Sequence, residues 1–202
     1  MRRPREIKEA THTAIVAHAS RLFRERGVEG TSVGDVMAQA GLTHGGFYRH
    51  FETKEALAAA AIRETFAGIG KAVEERAASV GIAQAVADYL AYYLSDDHLT
   101  HPGLGCPAPS LGGEIGRAPG TLKAEFGASL NRTLTLLAQG FPGAEAESRA
   151  EATRAFALRV GAILLARASD DATAREIVDA CRVSESAPPA TRTRRREAKS
   201  RR

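Results

Sequence analysis

The run SVGDVMAQAGLTHGGFYRHF, Ser32 to Phe51, leaves few folds open. It holds two short segments with helical apolar spacing, joined by Gly41-Leu42-Thr43. Ser32 is a good N-cap for the first, with Asp35 three residues on as its capping-box partner. Val33, Val36, Met37 and Ala40 line one face, and Gly41 ends the segment. The second segment, His44 to His50, has Thr43 at its N-cap position and two glycines in its first turn, where glycine is a poor helix former. Leu42 and Phe47 are placed to staple its entry from behind. Helices this short are marginal alone. They need a packing partner, and the segment from near Ile7 to Arg26 supplies one. Its Ile15, Ala19, Leu22 and Phe23 recur at helical spacing, and Gly27 is a natural stop. This is the helix-turn-helix pattern. An ordinary helical corner is the plainer alternative.

Downstream the chain keeps the same period. Strand signals are nearly absent and alanine is abundant, so the fold class is all-α, with about nine helices. Thr53 caps a long helix over 54–79, with Leu57, Ala61, Ile62 and Phe66 on one face; Gly68 and Gly70 are candidate bends. A helix over 82–94 buries Ile82, Val86, Tyr89, Leu90 and Tyr93. Residues 96–109, rich in Pro and Gly, read as a loop. Helices follow over 107–117, 119–139, 144–167 and 172–181. The organisation is an N-terminal helix-turn-helix domain (1–53), a larger helical domain (54–183) and a disordered basic tail (184–202).

Charge separates these parts. Residues 1–54 carry 9 Lys/Arg against 6 Asp/Glu, residues 55–190 carry 12 against 17, and residues 191–202 carry 7 against 1. A basic front on an acidic body points the front toward a polyanion, with solvated surface charge as the bland alternative. Two cysteines argue against a disulfide scaffold. The N-terminal MRRPREIKEA has no apolar run behind its arginines, and no stretch approaches the ~18 apolar residues of a membrane span. The expectation is a cytoplasmic protein without a membrane partner.

The glycines of THGGFYRHF then acquire a use. A recognition helix enters the major groove by its N-terminal residues. Without side chains at Gly45 and Gly46 the backbone can approach bases or phosphates closely, and the free N–H groups of a first turn attract phosphate. No P-loop or GxGxxG spacing is present and no strand precedes the glycines, which sets this apart from an enzyme's phosphate loop.

From about Thr13 to Leu57 the chain resembles the DNA-binding domain of TetR-family transcriptional regulators. The resemblance rests on Ala19…Leu22-Phe23…Gly27, Thr31-Ser32, Val36…Ala40-Gly41-Leu42-Thr43, Gly45, Phe47-Tyr48…His50-Phe51 and Lys54-Glu55…Leu57. It implies a homodimeric, ligand-responsive repressor on a palindromic operator in double-stranded DNA. A small-molecule effector of unknown identity would act through the long helix on the spacing of two reading heads. Carried over by position, Thr43, His44, Gly45 and Gly46 face base edges, and Ser32, Tyr48, His50 and Lys54 meet phosphates. Arg49 is exposed by periodicity, as a DNA contact or as a solubilising residue. Many members carry a larger residue where this chain has Gly46. Gly105-Cys106-Pro107 is similar to a segment found in a subset of the family.

Phe66, Tyr89, Tyr93 and Phe126 are candidate effector-pocket residues, with simple core packing as the alternative. Cys106 is a candidate thiol sensor, because a helix N-terminus would lower its pKa; a small buried residue is the alternative. Phe156, Val160, Ile163 and Leu164 are expected to form the dimer face, with Arg159 and Arg167 at its rim, unless that stripe is wholly intramolecular. No cofactor or metal is expected: His98, His101 and Cys106 make a poor ligand pattern. An enzyme using Cys106 with His98 or His101, or a DNA binder that does not switch, are the rival functions; the first has no general-base partner at a family-like spacing and no oxyanion-hole motif, and the large helical body over 54–183 argues against the second.

Overall fold

The computed structural model describes residues 4–118 and 120–183. The basic stretch 184–202 lies outside the described residues, as does the expectation placed on it. Among the described residues the secondary structure is helical throughout, with no strand.

Helix α1 spans Pro4–Arg26. Its Ile15, Ala19, Leu22 and Phe23 are all buried, as their spacing requires. Gly27 stops it with φ +80°, donating its N–H back to the Phe23 carbonyl at 2.8 Å. Helix α2 spans Val33–Gln39. The Ser32 hydroxyl accepts from Asp35 N at 3.0 Å, and the Asp35 carboxylate accepts from Ser32 N at 3.0 Å, which closes the capping box. The chain reverses at Gly41, with φ +71°, and Leu42 N–H returns to the Met37 carbonyl.

The next element is a 3₁₀ helix, His44–Arg49, rather than an α-helix. Gly46 N–H bonds the Thr43 carbonyl and His50 N–H bonds that of Phe47, both three residues back. Two glycines lower the gain from α-propagation, which leaves the tighter turn competitive over so short a run. Thr43 makes no side-chain cap bond. Phe47 is buried and Leu42 packs on the core in part.

Helix α3, Lys54–Val80, is capped by Thr53, whose hydroxyl accepts from Ala56 N at 3.0 Å. At 27 residues it is about 40 Å long. It runs continuously through Gly68 and Gly70. It packs on α1, on α4 (Ile82–Tyr93) and on α7 (Gly120–Ala138). One apolar core therefore extends along it from Ile15 to Val178.

Residues 96–109 are not a loop. Ser95 caps a short helix α5, Asp96–Thr100, its hydroxyl accepting from His98 N at 3.2 Å. A 3₁₀ turn, Pro102–Leu104, leads into α6, Pro107–Ile115. The prolines and glycines that signal a loop sit instead in the 3₁₀ turn, in the connection at Gly105 and in the first turn of α6, at Pro107 and Pro109, where the N–H that proline lacks has no intrahelical partner to lose. Helices α8, Glu145–Arg167, and α9, Asp171–Val183, complete the body, α8 packing on α7 and α9. No described helix is long and apolar enough to cross a membrane.

Candidate nucleic-acid interface and the buried thiol cluster

The front of the 3₁₀ segment is open. Thr43, His44, Gly45, Tyr48 and Arg49 are exposed, and Gly46 is half-buried. A Cβ at Gly45 would meet nothing within 4 Å, and φ there is not positive. One at Gly46 would make only ordinary contacts, with Met37 Cε at 3.5 Å and Thr43 Oγ1 at 4.0 Å. Packing within this chain requires neither glycine. Tyr48 is 67% exposed and edge-on to Phe47, which fixes its ring from behind.

The flanking groups are more committed. The Ser32 hydroxyl donates to Asp35 Oδ2 at 2.6 Å while capping α2, and these bonds hold the Asp35 carboxyl below the usual carboxylate range. Lys54 Nζ donates to the Glu29 carbonyl at 3.3 Å. His50 is half-buried, and its Nδ1 is buried without a hydrogen-bond partner. Its pKa is pushed down, first by burial and then by His12, Lys8 and Arg49. His12 stacks on Phe51 at 4.6 Å and lies 6.0 Å from His50. Sequence reasoning misses Lys8 and His12, because only tertiary packing brings α1 to this end of the 3₁₀ segment.

Cys106 is the N-cap of α6, its sulfur accepting from Ala108 N at 3.4 Å. The expected low pKa is wrong: burial pushes the thiol up, outweighing Tyr93, the Ala108 N–H, Tyr89 and Arg24, all of which pull it down. His98 braces this corner. Its Nδ1–H donates to the Tyr93 carbonyl at 2.7 Å and its Nε2 accepts from Cys106 N at 3.0 Å. Both nitrogens are thereby occupied, and burial pushes the ring's pKa down. A Cβ at Gly105 would collide with that ring. The Tyr89 and Tyr93 hydroxyls are buried beside the Cys106 thiol. Among the described residues there is no cluster of three or more metal-ligating side chains.

The candidate effector residues thus split. Tyr89, Tyr93 and Cys106 come together. Phe66 and Phe126 pair separately, edge-to-face at 5.6 Å, and Phe66 borders a groove of about 250 Å³ between α3 and α7. A larger cleft, about 1210 Å³, lies between α4 and α8 over Leu90, Phe141 and Leu158. None of the five residues lines it.

The dimer stripe needs correction. Phe156 and Ile163 are buried within the chain, and Val160 is half-buried. The exposed apolar side chains of α8 are Leu158, Leu164 (51%) and Leu165 (57%). Helix α8 is apolar on two faces, and most of the expected stripe belongs to the inner one. Arg159 is not at a rim but 2% exposed, donating to the Leu90 carbonyl at 2.8 Å and the Ala155 carbonyl at 2.9 Å. Arg167 is likewise drawn inward, onto the His98 and Leu99 carbonyls and Ser110 Oγ.

Residues 15–61 match the profile of the bacterial regulatory proteins of the tetR family. The chain is 28% identical over 114 residues to the HTH-type transcriptional repressor DhaR of Mycobacterium sp. (strain GP1), across 55% of this chain and 56% of that protein. It is 35% identical over 77 residues to the HTH-type transcriptional regulator TtgR of Pseudomonas putida, across 37% of each. The match therefore spans about half the length of these curated relatives, or less. In fold the chain is similar to the reduced form of E. coli NemR, with a TM-score of 0.70 over 90% of this chain and 99% of that one, at 22% identity.

Proposed function

We propose that this chain, a member of the TetR family of transcriptional regulators, is a ligand-responsive repressor that binds a palindromic operator as a homodimer. Residues 1–53 read DNA and residues 54–183 receive the effector and hold the dimer. The observation that carries the reading is the bare front at Gly45 and Gly46. It is backed by buried Phe47 and Met37, and its lack of side chains serves no packing within the chain. Close approach of a surface from outside gives that lack a purpose.

Thr43 and His44 reach base edges, with the Gly45–Gly46 backbone against the groove. Ser32, Tyr48, Arg49, His50 and Lys54 meet phosphates. Ser32 and Lys54 already have partners inside the chain, so they contribute by sharing those bonds. The exposed leucines of α8 meet their symmetry mates. Tyr89, Tyr93 and Cys106 form the responsive centre, and Phe66, paired edge-to-face with Phe126, borders the smaller groove between α3 and α7. A thiol-reactive effector has to reach a buried Cys106, so release by that route requires local opening of α6.

The test is enrichment of duplexes from a random library, followed by titration of the best one. A pseudo-palindrome with half-sites about one helical turn apart, roughly 34–36 Å, is expected. Affinity should fall steeply with salt. The double variant Tyr48→Ala/Lys54→Ala should weaken binding to all sequences alike. Normal binding by that variant would refute the phosphate assignment.

A further inference from the structure

Beside the packing of α1 on α3, two polar contacts tie the end of α1 and the turn after it to the stretch 103–114. Each oxygen of the Glu114 carboxylate, at the end of α6, takes one of two consecutive N–H groups in the turn that follows α1. Val28 N donates to Oε2 at 2.9 Å and Glu29 N to Oε1 at 2.7 Å. Gly27 makes room for it: φ is +80°, and a Cβ there would lie 2.9 Å from Oε2. The Glu29 residue is also held at its carbonyl, which accepts from Lys54. Arg24 makes the second contact. From the last turn of α1 it donates Nε to the Gly103 carbonyl at 3.1 Å and Nη1 to Ser20 Oγ at 2.8 Å, and it reaches Thr65 on α3. Burial lowers its pKa to about 10.

The turn 27–31 leads directly into the Ser32 cap of α2, and α2 carries the reading segment. A side chain that fixes this turn fixes the angle at which the reading segment leaves the body. The core around Phe47 and Met37 sets the internal shape of the head; Glu114 bonds it to an element 85 residues away. A capping side chain local to the turn would have served stability equally well. This one comes from the helix whose other end is Cys106.

We propose that Glu114 is a positioning residue for DNA recognition: α6, through Glu114, sets the orientation of the reading head on the body, and with it the half-site spacing that a dimer accepts. The inference rests on the DNA-binding reading above.

The experiment uses the full chain, the enriched palindrome, and the same duplex with one base pair inserted at its centre. The insertion leaves both half-sites intact and moves them apart by roughly 3.4 Å. The wild type should lose at least about ten-fold in affinity on the insertion, a discrimination in the range of one mismatched base pair. Glu114→Ala and the isosteric Glu114→Gln should lose about three-fold or less, while binding a single-half-site duplex as the wild type does. A role in stability alone would lower affinity for every duplex alike and leave the insertion penalty unchanged; that result overturns the proposal. Hydrogen exchange at the Val28 and Glu29 amides, measured without DNA, reads the grip directly. Both should exchange faster in the variants, and unchanged exchange in Glu114→Gln also overturns the proposal. A wild type that enriches no duplex overturns the DNA-binding reading instead, and the exchange result still stands or falls on its own.

Discussion

Gly45 separates what the fold needs from what a partner needs. A side chain placed there projects into open space, and the backbone does not lie in the left-handed region. Gly45→Ala should therefore stabilise the chain by about 0.4–1 kcal/mol, through a less disordered unfolded state. For a chain of this size that is a rise of roughly 2–4 °C in Tm per kcal/mol. Gly45→Leu should stay within about 0.5 kcal/mol of the wild type, as surface substitutions do. On DNA the same leucine stands between the 3₁₀ backbone and the groove. Loss of one base contact costs about 1 kcal/mol at the low end. A dimer loses it twice, so about 2 kcal/mol, or roughly thirty-fold in Kd. Fluorescence anisotropy on the enriched duplex reads the affinity, and a circular-dichroism melt on the same sample reads the fold. A leucine variant that folds and binds within about two-fold of the wild type refutes the close-approach argument. One that unfolds refutes the geometry behind it. Gly46→Ala is the internal comparison. Its Cβ would turn toward Met37 and Thr43 rather than into open space, so it should cost less affinity than Gly45→Leu.

Three other outcomes follow. Leu164→Asp combined with Leu165→Asp should convert a dimer to a monomer in sedimentation velocity with helicity retained, because both leucines are exposed in the single chain; a dimer that persists places the interface elsewhere. Iodoacetamide at neutral pH should label half-buried Cys181 well before Cys106, which is buried with its pKa pushed up, and Cys106 should react at least about ten-fold slower than in urea; equal rates would mean that the corner around α6 opens readily. His50 and His98 both have pKa values below 6.5 in the folded chain, so the unfolded chain binds protons first as pH falls. Stability is then full above about pH 6.5 and declines below it. The urea midpoint should drop between about pH 7 and pH 5, less so in His98→Gln, and a flat profile would contradict the burial argument.

What the sequence disclosed tracks how local the physics is. Ser32, Asp35, Gly27, Gly41 and Thr53 act within a few residues, and their caps and turns appear where the spacing puts them. The α1 stripe repeats one period against one neighbour, and it too is where it should be. Misreadings begin where two elements compete for a side chain. The apolar residues of α8 cover two faces, so periodicity alone could not say that Phe156 and Ile163 turn inward while Leu164 and Leu165 turn out. Arg159 and Arg167 look like rim charges until the Leu90, Ala155, His98 and Leu99 carbonyls are seen to draw them inward. At Cys106 a local rule, the helix N-terminus, competes with a non-local one, burial beside Tyr89 and Tyr93 of α4, and burial wins. Glu114 is the extreme case. Nothing within a dozen residues of it mentions Val28 or Glu29, yet its carboxylate closes the turn that aims the reading segment. A family profile confined to residues 15–61 ends before the sequence that makes this contact begins. The acceptor of this contact therefore lies in the body's own sequence, beyond the segment that the profile reads.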